Sequence, residues 1–358
     1  MVFAFHALDY AGLTKLTWDG YFRIFDGSAS AVDALLLPLK FGAIGVSIFF
    51  AVSGFCIHYF YRDLKSIDLF YIRRFLRILP PYWFLLVVVS LLPFVGKELF
   101  GISLGVQFIS HLLLIHNFWE GTLYGIAPAW WTIAVEIQLY MLYPFVLYMS
   151  KRFGWGVTLL LLGSLELSLR AYSENAILFG YDRLPNWLSG SPLFFWFSWT
   201  LGAWAADRRA HSRLCTMRPV HHFTLALLFL VCAFFRPLAA FNFTLVSFWT
   251  AILLSSGTTY PRKAIWFRLL SGVGIISYSL YLVSDTVLLN TLTLFDGLFR
   301  SKPLVFLILL MSFGPAYLLA KYIYSKVEKP SQEIGRRIYR SADRSGKDSG
   351  FVSRLLKI

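Results

Sequence analysis

WWTIAVEIQLYMLYP, residues 130–144, is the stretch from which the fold is read. It is an apolar helical run with one carboxylate, Glu136, in its middle. The chain around it is 58% hydrophobic with a mean hydropathy of +0.64, which places that helix in a lipid bilayer. A charged side chain at the centre of a membrane helix costs roughly 2.5–3.5 kcal/mol on insertion scales. It persists where it faces a polar interior, so Glu136 is a candidate functional residue by position alone. The plainer reading is a buried hydrogen bond or ion pair between helices.

Composition extends that reading to the whole chain. Thirty-five Phe, nineteen Tyr and twelve Trp exceed what a soluble core of 358 residues can bury. Apolar runs of about 20 residues recur, the length a bilayer requires. The expected fold class is an all-α polytopic bundle of about ten membrane helices. Spans are expected near 41–61, 80–96, 130–149, 153–169, 187–206, 220–235, 238–256, 273–294 and 304–324. A membrane domain over 1–324 and a basic cytoplasmic tail over 325–358 follow, the tail's end disordered or lying on anionic lipid. Cys56, Cys215 and Cys232 are too scattered for a disulfide framework or a zinc site.

The formal net charge of +14 invites a nucleic-acid reading, which the distribution of charge excludes. Basic residues cluster in short loops and in the tail, the positive-inside pattern. The segment 103–119 tests that pattern, because it is apolar yet carries Gln107, Ser110, His111 and His116. If it does not cross and 62–77 is cytoplasmic, 24 of the 33 Lys and Arg fall inside and 9 outside. If it crosses, only 10 fall inside. The first topology is expected, with 103–119 either re-entrant or an amphipathic helix on the outer surface. The loops 8–40 and 170–186 then face outward. The segments 62–77, 207–219 and 258–268 and the tail face inward.

Within FGAIGVSIFFAVSGFCIHYFY (41–61), Ala43, Ser47, Ala51 and Gly54 form a small-residue stripe that permits close helix approach. Ser53 either lines a polar interior or bonds back to its own helix. FYIRRFLRILPPYW (70–83) brings Arg73, Arg74 and Arg77 to one broad helical face at the cytoplasmic boundary. Headgroup anchoring accounts for such a face, and so does binding a polyanion. Three Arg and no Lys favour phosphate, which the guanidinium fork contacts bidentately. Pro80 and Pro81 are expected to end this segment and open the next helix. His6 lies in an apolar context, either as a structural residue or as a proton-transfer group. Thr132, Glu136 and Tyr140 share a helical face, with Trp131 and Gln138 nearby. His58, His111, His116, His221 and His222 lack metal-ligand spacing, so no metal site is expected. Gly272 and Gly274 are not a dinucleotide fingerprint.

These pieces resemble the acyltransferase 3 family of integral-membrane acyltransferases, which includes O-acetyltransferases of bacterial surface polysaccharides. The resemblance rests on GVSIFFAVSGF (45–55), FYIRRFLRILPPYW, WWTIAVEIQLYMLYP, ISYSLYLV (276–283) and VEKP (327–330), in family order. It implies transfer of an acyl group, commonly acetyl, from cytoplasmic acyl-CoA to a hydroxyl of an extracytoplasmic carbohydrate. It implies His6 as general base and Glu136 as the group orienting His6 or the acceptor. Arg73, Arg74 and Arg77 fit the CoA phosphates, with Ser53 and Tyr82 counted with the donor site. Membrane lipids are the other expected partner, and the cytoplasmic (inner) membrane of a bacterium, with a cytoplasmic C-terminus, the expected location. The family's first-helix Arg would precede Met1, so the first helix is expected to be truncated, through a late start codon or a defective variant. Where the family often has a late-helix His, this chain has Ser284 and Asp285. A glycan transporter or flippase, and a non-catalytic scaffold, are the alternatives. No symmetric pair of Gly/Pro-broken helices speaks for the transporter.

Overall fold

The structure is a computed structural model that describes residues 2–13, 39, 41–63, 66–92, 98–182, 184–213, 217–256, 265–295, 298 and 301–344. Most of the outer loop 8–40, Cys215 and the tail's end beyond 344 lie outside the described residues. The described chain is helical apart from one two-stranded hairpin. It divides into two compact units. Unit 1 comprises Met1–Arg62, Asn117–Glu120 and Val135–Thr258; unit 2 comprises Asp63–His116, Gly121–Ala134 and Thr259–Ile358.

The chain opens with α1 (Val2–Tyr10) and α2 (Gly45–Tyr61), followed by α3 (Ile67–Ser90). The hairpin pairs β1 (Glu98–Leu99) with β2 (Ile102–Ser103), turning through Phe100 and Gly101 at φ 53° and 72°. Positive φ at both central residues matches the twist of a tight hairpin. Next come α4 (Leu104–Leu112), α5 (Glu120–Leu123) and α6 (Trp131–Phe179). Gly154 (φ 80°, ψ 163°) breaks α6 into two helices, as the separate spans 130–149 and 153–169 anticipate. The order continues with α7 (Asn186–Ser189), α8 (Trp196–Ala210), α9 (Pro219–Phe234) and α10 (Asn242–Ser255). It ends with α11 (Ile265–Ile275), α12 (Ser277–Leu294), α13 (Lys302–Met311), α14 (Phe313–Ile323) and α15 (Lys329–Arg344).

In unit 1, α2, α8 and α10 pack on one another. At Ala51 and Gly54 the small-residue stripe permits the close approach its spacing implies. A Cβ on Gly54 would collide with the carbonyl oxygen of Trp199, and one on Gly202 with that of Ala51. Each helix of the α2–α8 pair thus supplies a glycine to the other's backbone.

Several boundaries differ from expectation. The span expected over 187–206 is α7 and α8 with a 3-10 turn (Pro192–Phe194) between them. Pro80 and Pro81 sit inside α3, which runs 24 residues from its Ser66 cap. The turn that the prolines loosen gains a donor, because the Tyr278 hydroxyl bonds the Ile78 carbonyl at 2.9 Å. The span expected over 273–294 is two helices, α11 and α12, bent by 75° after Gly272 and Gly274. The outward loop expected from 170 is instead the continuation of α6, held by a buried ion pair described below. After α14 the chain passes through a π-turn (Tyr324–Glu328) into α15, which packs along α3. Gly335 makes that approach close: its Cβ position lies 3.5 Å from Leu76 Cβ and 3.6 Å from Arg73 Cα.

Among the described residues, three helical stretches are long and apolar enough to cross a membrane: Pro128–Ala176, Pro237–Ser255 and Lys302–Ser341. Counting the bent α11–α12 pair as one span gives a fourth, against about ten expected. The apolar helices Gly45–Tyr61 and Pro219–Ala233 are shorter. Helix α4, at nine residues, reaches about 14 Å at 1.5 Å per residue. That is about half the hydrocarbon thickness, so this helix by itself does not cross.

Candidate active site

In unit 1 the centre is Glu136 on α6, which is 5% exposed. Its Oε1 accepts from the Tyr140 hydroxyl at 2.5 Å and from Ser53 Oγ of α2 at 2.9 Å. Ser53 Oγ also lies 3.4 Å from the Tyr140 hydroxyl and accepts from Trp199 Nε1 of α8 at 3.3 Å. Two of the residues flagged from sequence, Ser53 and Glu136, are therefore direct partners. Tyr140 joins them because it stands one turn along α6 on the same face. Ser53 lines the interior and does not bond back to its own helix. Thr132, on that face one turn earlier, instead meets the Tyr281 hydroxyl of α12 at 2.7 Å. Gln138 pairs with Asn117 through reciprocal amide bonds of 3.0 and 2.9 Å. His6 is half-buried on α1, beside the rings of Phe5 and Tyr10 at 5.6 and 6.3 Å.

A second buried carboxylate in unit 1 escaped the sequence reading. Glu166 accepts from Arg170 Nε at 3.0 Å, from Ser198 N and Oγ at 3.0 and 2.5 Å, and from Thr244 Oγ1 at 3.0 Å. Arg170 also donates to the Phe194 carbonyl, and its guanidinium sits 4.6, 5.3 and 4.2 Å from the rings of Phe194, Phe195 and Phe243. The argument that singled out Glu136, a carboxylate inside an apolar run, applies equally to LLLLGSLELSLR (159–170), and Arg170 four residues on is the ideal helical partner. This site is closed and fully satisfied.

In unit 2 the ISYSLYLV motif of α12 gathers the remaining motifs. Tyr278 reaches Ile78 of the Arg-rich helix. Ser279 donates to Glu328 of VEKP at 2.5 Å. Tyr281 donates to the Ala129 carbonyl at 2.7 Å, and the Leu282 carbonyl accepts from Trp130 Nε1 at 3.0 Å. Asp285, one of the two residues that stand where the resemblance leads one to expect a late His, accepts from Ala129 N at 2.6 Å. It caps the start of the WWTIAVEIQLYMLYP helix, where a carboxylate is favoured by the unpaired N–H groups.

The three arginines differ in surroundings. Arg74 is 6% exposed, Arg73 is half-buried with its guanidinium 5.1 Å from the Tyr339 ring of α15, and Arg77 is exposed and electrostatically coupled to Glu328. Tyr82 is fully buried and donates to the His111 carbonyl at 3.1 Å, tying α4 to α3. His111 and His116 stack face to face at 3.9 Å, both fully buried. Burial pushes the His111 imidazole down to about 4 and His116 well below its ordinary value. Among the described residues no group of three or more His, Cys, Asp or Glu could hold a metal ion.

A helical membrane protein with motif residues bonded around buried carboxylates is the class these features define. The chain belongs to the acyltransferase 3 family, whose sequence model, described as an acyltransferase domain, matches residues 1–321. Among its relatives is "Putative O-acetyltransferase SACOL0978" of Staphylococcus aureus strain COL, 30% identical over 221 residues, which cover 51% of this chain and 36% of the relative. Another is O-acetyltransferase OatA of S. aureus strain NCTC 8325 / PS 47, 29% identical over 221 residues, covering 52% and 36%. The chain thus spans about a third of the length of the curated relatives it matches. No solved structure matches it.

Proposed function

We propose that this protein is a membrane O-acyltransferase, moving an acyl group, acetyl by preference, from cytoplasmic acyl-CoA to a hydroxyl of a surface or exported carbohydrate. The carrying observation is the family match over 1–321, with the family's motif residues bonded to one another around Glu136 and along α12. The relatives' names as O-acetyltransferases support an acetyl group delivered to an oxygen; the carbohydrate acceptor is the part of the proposal that rests on the family resemblance.

In the reaction the acceptor hydroxyl attacks the thioester carbonyl. A C–O bond forms, the C–S bond breaks, and the hydroxyl proton must leave. His6 takes that proton as general base, a contribution typically of 10²–10⁴-fold. Glu136, already holding two hydroxyls, orients His6 or the acceptor hydroxyl. The guanidiniums of Arg73, Arg74 and Arg77 meet the CoA phosphates at the cytoplasmic end of α3, and the membrane is the inner one, with the C-terminus cytoplasmic. Ser53 acts indirectly, by holding Glu136, and Tyr82 by holding α4 to the Arg-rich helix α3.

Expression of the chain in a bacterium lacking surface O-acetyl groups tests the reading. Acetate released from purified surface glycan by mild alkali should rise with the wild-type chain and stay at background with His6→Ala at equal membrane abundance. Background acetate with the wild-type chain, across glycan classes, would remove the proposal.

A further inference from the structure

A second line of polar side chains in unit 1 takes no part in that chemistry as described. His58 of α2 is 2% exposed. Its Nδ1 lies 3.2 Å from the hydroxyl of Tyr143, itself fully buried on α6. Its Nε2 lies 3.6 Å from Oδ1 of Asp207 on α8, whose side chain is 23% exposed. Asp207 in turn lies 3.5 Å from His211, which is exposed. The ring of Trp155 closes edge-on over His58 at 5.2 Å. An imidazole held between an interior hydroxyl and a surface carboxylate can receive a proton at one nitrogen and release it from the other.

The direction of this line matters. Tyr143 stands one helical turn beyond Tyr140 on α6, and His58 lies five residues beyond Ser53 on α2. Trp199 spans the step, donating to Ser53 Oγ and meeting the Tyr143 ring at 6.0 Å. The Glu136–Ser53–Tyr140 group is thus the neighbour of Tyr143–His58–Asp207 on the side away from Asp207. By the charge-based topology, Asp207 and Arg62 mark the cytoplasmic boundary. Outside the spanning segments, the His58 imidazole 3.6 Å away holds the Asp207 carboxyl below its usual range, with His211 adding to that.

We propose that Tyr143, His58 and Asp207 form a proton relay connecting the cytoplasm with the buried Glu136 group. The ionisable groups facing His58 are Tyr143 from α6 and Asp207, with His211 behind it, from α8. The role of the relay rests on the acyltransferase reading. An acceptor on the outer side loses a proton, while the CoA thiolate on the inner side gains one. With a relay, the acceptor's proton returns to the sulfur and each turnover is proton-neutral across the membrane. Without one, each turnover would take a proton from one side and leave one on the other.

The test uses the full chain in oriented vesicles and does not require acyl transfer. A pH jump is applied on the side bearing the C-terminal tail, and the Glu136 carboxyl band, identified by its loss in Glu136→Gln, is followed by time-resolved infrared spectroscopy. In the wild type the band should follow the jump. In Tyr143→Phe, which keeps the ring and removes one hydroxyl, and in His58→Gln, the response should slow at least tenfold. An unslowed response in a folded Tyr143→Phe, or a Glu136 band that ignores the jump, overturns the relay and leaves His58 as a tie between α2 and α8. A chain that relays protons but transfers no acyl group would instead remove the function proposed above and leave the relay standing.

Discussion

Glu136 and Glu166 are the same residue type in similar apolar runs of one long helical element, and their surroundings differ. Glu166 is neutralised by Arg170 and saturated by Ser198 and Thr244, the pattern of a structural tie. Glu136 is held by two hydroxyls, Ser53 and Tyr140, both able to donate or accept. Arg170→Ala should cost about 3–5 kcal/mol, because it leaves a buried carboxylate uncompensated. Thermal unfolding checks this, and substituting Glu166→Leu together with Arg170→Leu should recover much of the loss. Glu136→Gln keeps the shape and removes the charge; turnover should fall by about 10²-fold with little change in unfolding temperature. At this scale the sequence exposed Glu136, Ser53 and Tyr140 but not that the packing of α2 on α6 joins them. Nothing in Tyr143 or Asp207 marks them as neighbours of His58, because they meet only when three helices pack.

At the scale of elements, helical periodicity located the apolar runs but not where they bend or join. Pro80-Pro81 carries a strong stop signal, yet α3 continues because α12 supplies the Tyr278 hydroxyl to the loosened turn. Tertiary partners of that kind are invisible to local propensity. The tail's first half, read as a cytoplasmic extension, is a helix whose Gly335 and Tyr339 lie against the Arg-rich face of α3. Its register therefore bears on the proposed donor site: Arg73→Ala with Arg77→Ala should raise the acyl-CoA KM about tenfold, near 1.4 kcal/mol of binding. An unchanged KM would return these residues to headgroup anchoring. The glycine contacts between α2 and α8 give a separate expectation. Gly202→Val forces the pair apart at Ala51 and should sharply reduce the folded fraction, measured by size-exclusion profile and unfolding temperature.

Over the whole molecule, charge asymmetry gave the expected orientation, and hydropathy gave the membrane class without giving the number of spans. That number depends on breaks such as Gly154 and the 75° bend between α11 and α12, which average out of any hydropathy window. The His111–His116 stack supplies a global property in turn. Because burial holds the folded His111 near 4 while the unfolded side chain titrates near 6.5, the unfolded state binds more protons between those values. Stability is therefore full above about pH 6.5 and falls as pH drops toward 4. Unfolding temperature measured at pH 7 and pH 5 should show the loss, and His111→Gln together with His116→Gln should flatten it. The central claim, acyl transfer dependent on His6 and Glu136, is tested most directly in reconstituted vesicles given acetyl-labelled acetyl-CoA on one side and a surface glycan on the other. The account predicts alkali-labile label in the glycan with the wild-type chain, and label reduced by at least tenfold with His6→Ala or Glu136→Gln. Equal labelling by all three proteins, or none above background with the wild type, would contradict it.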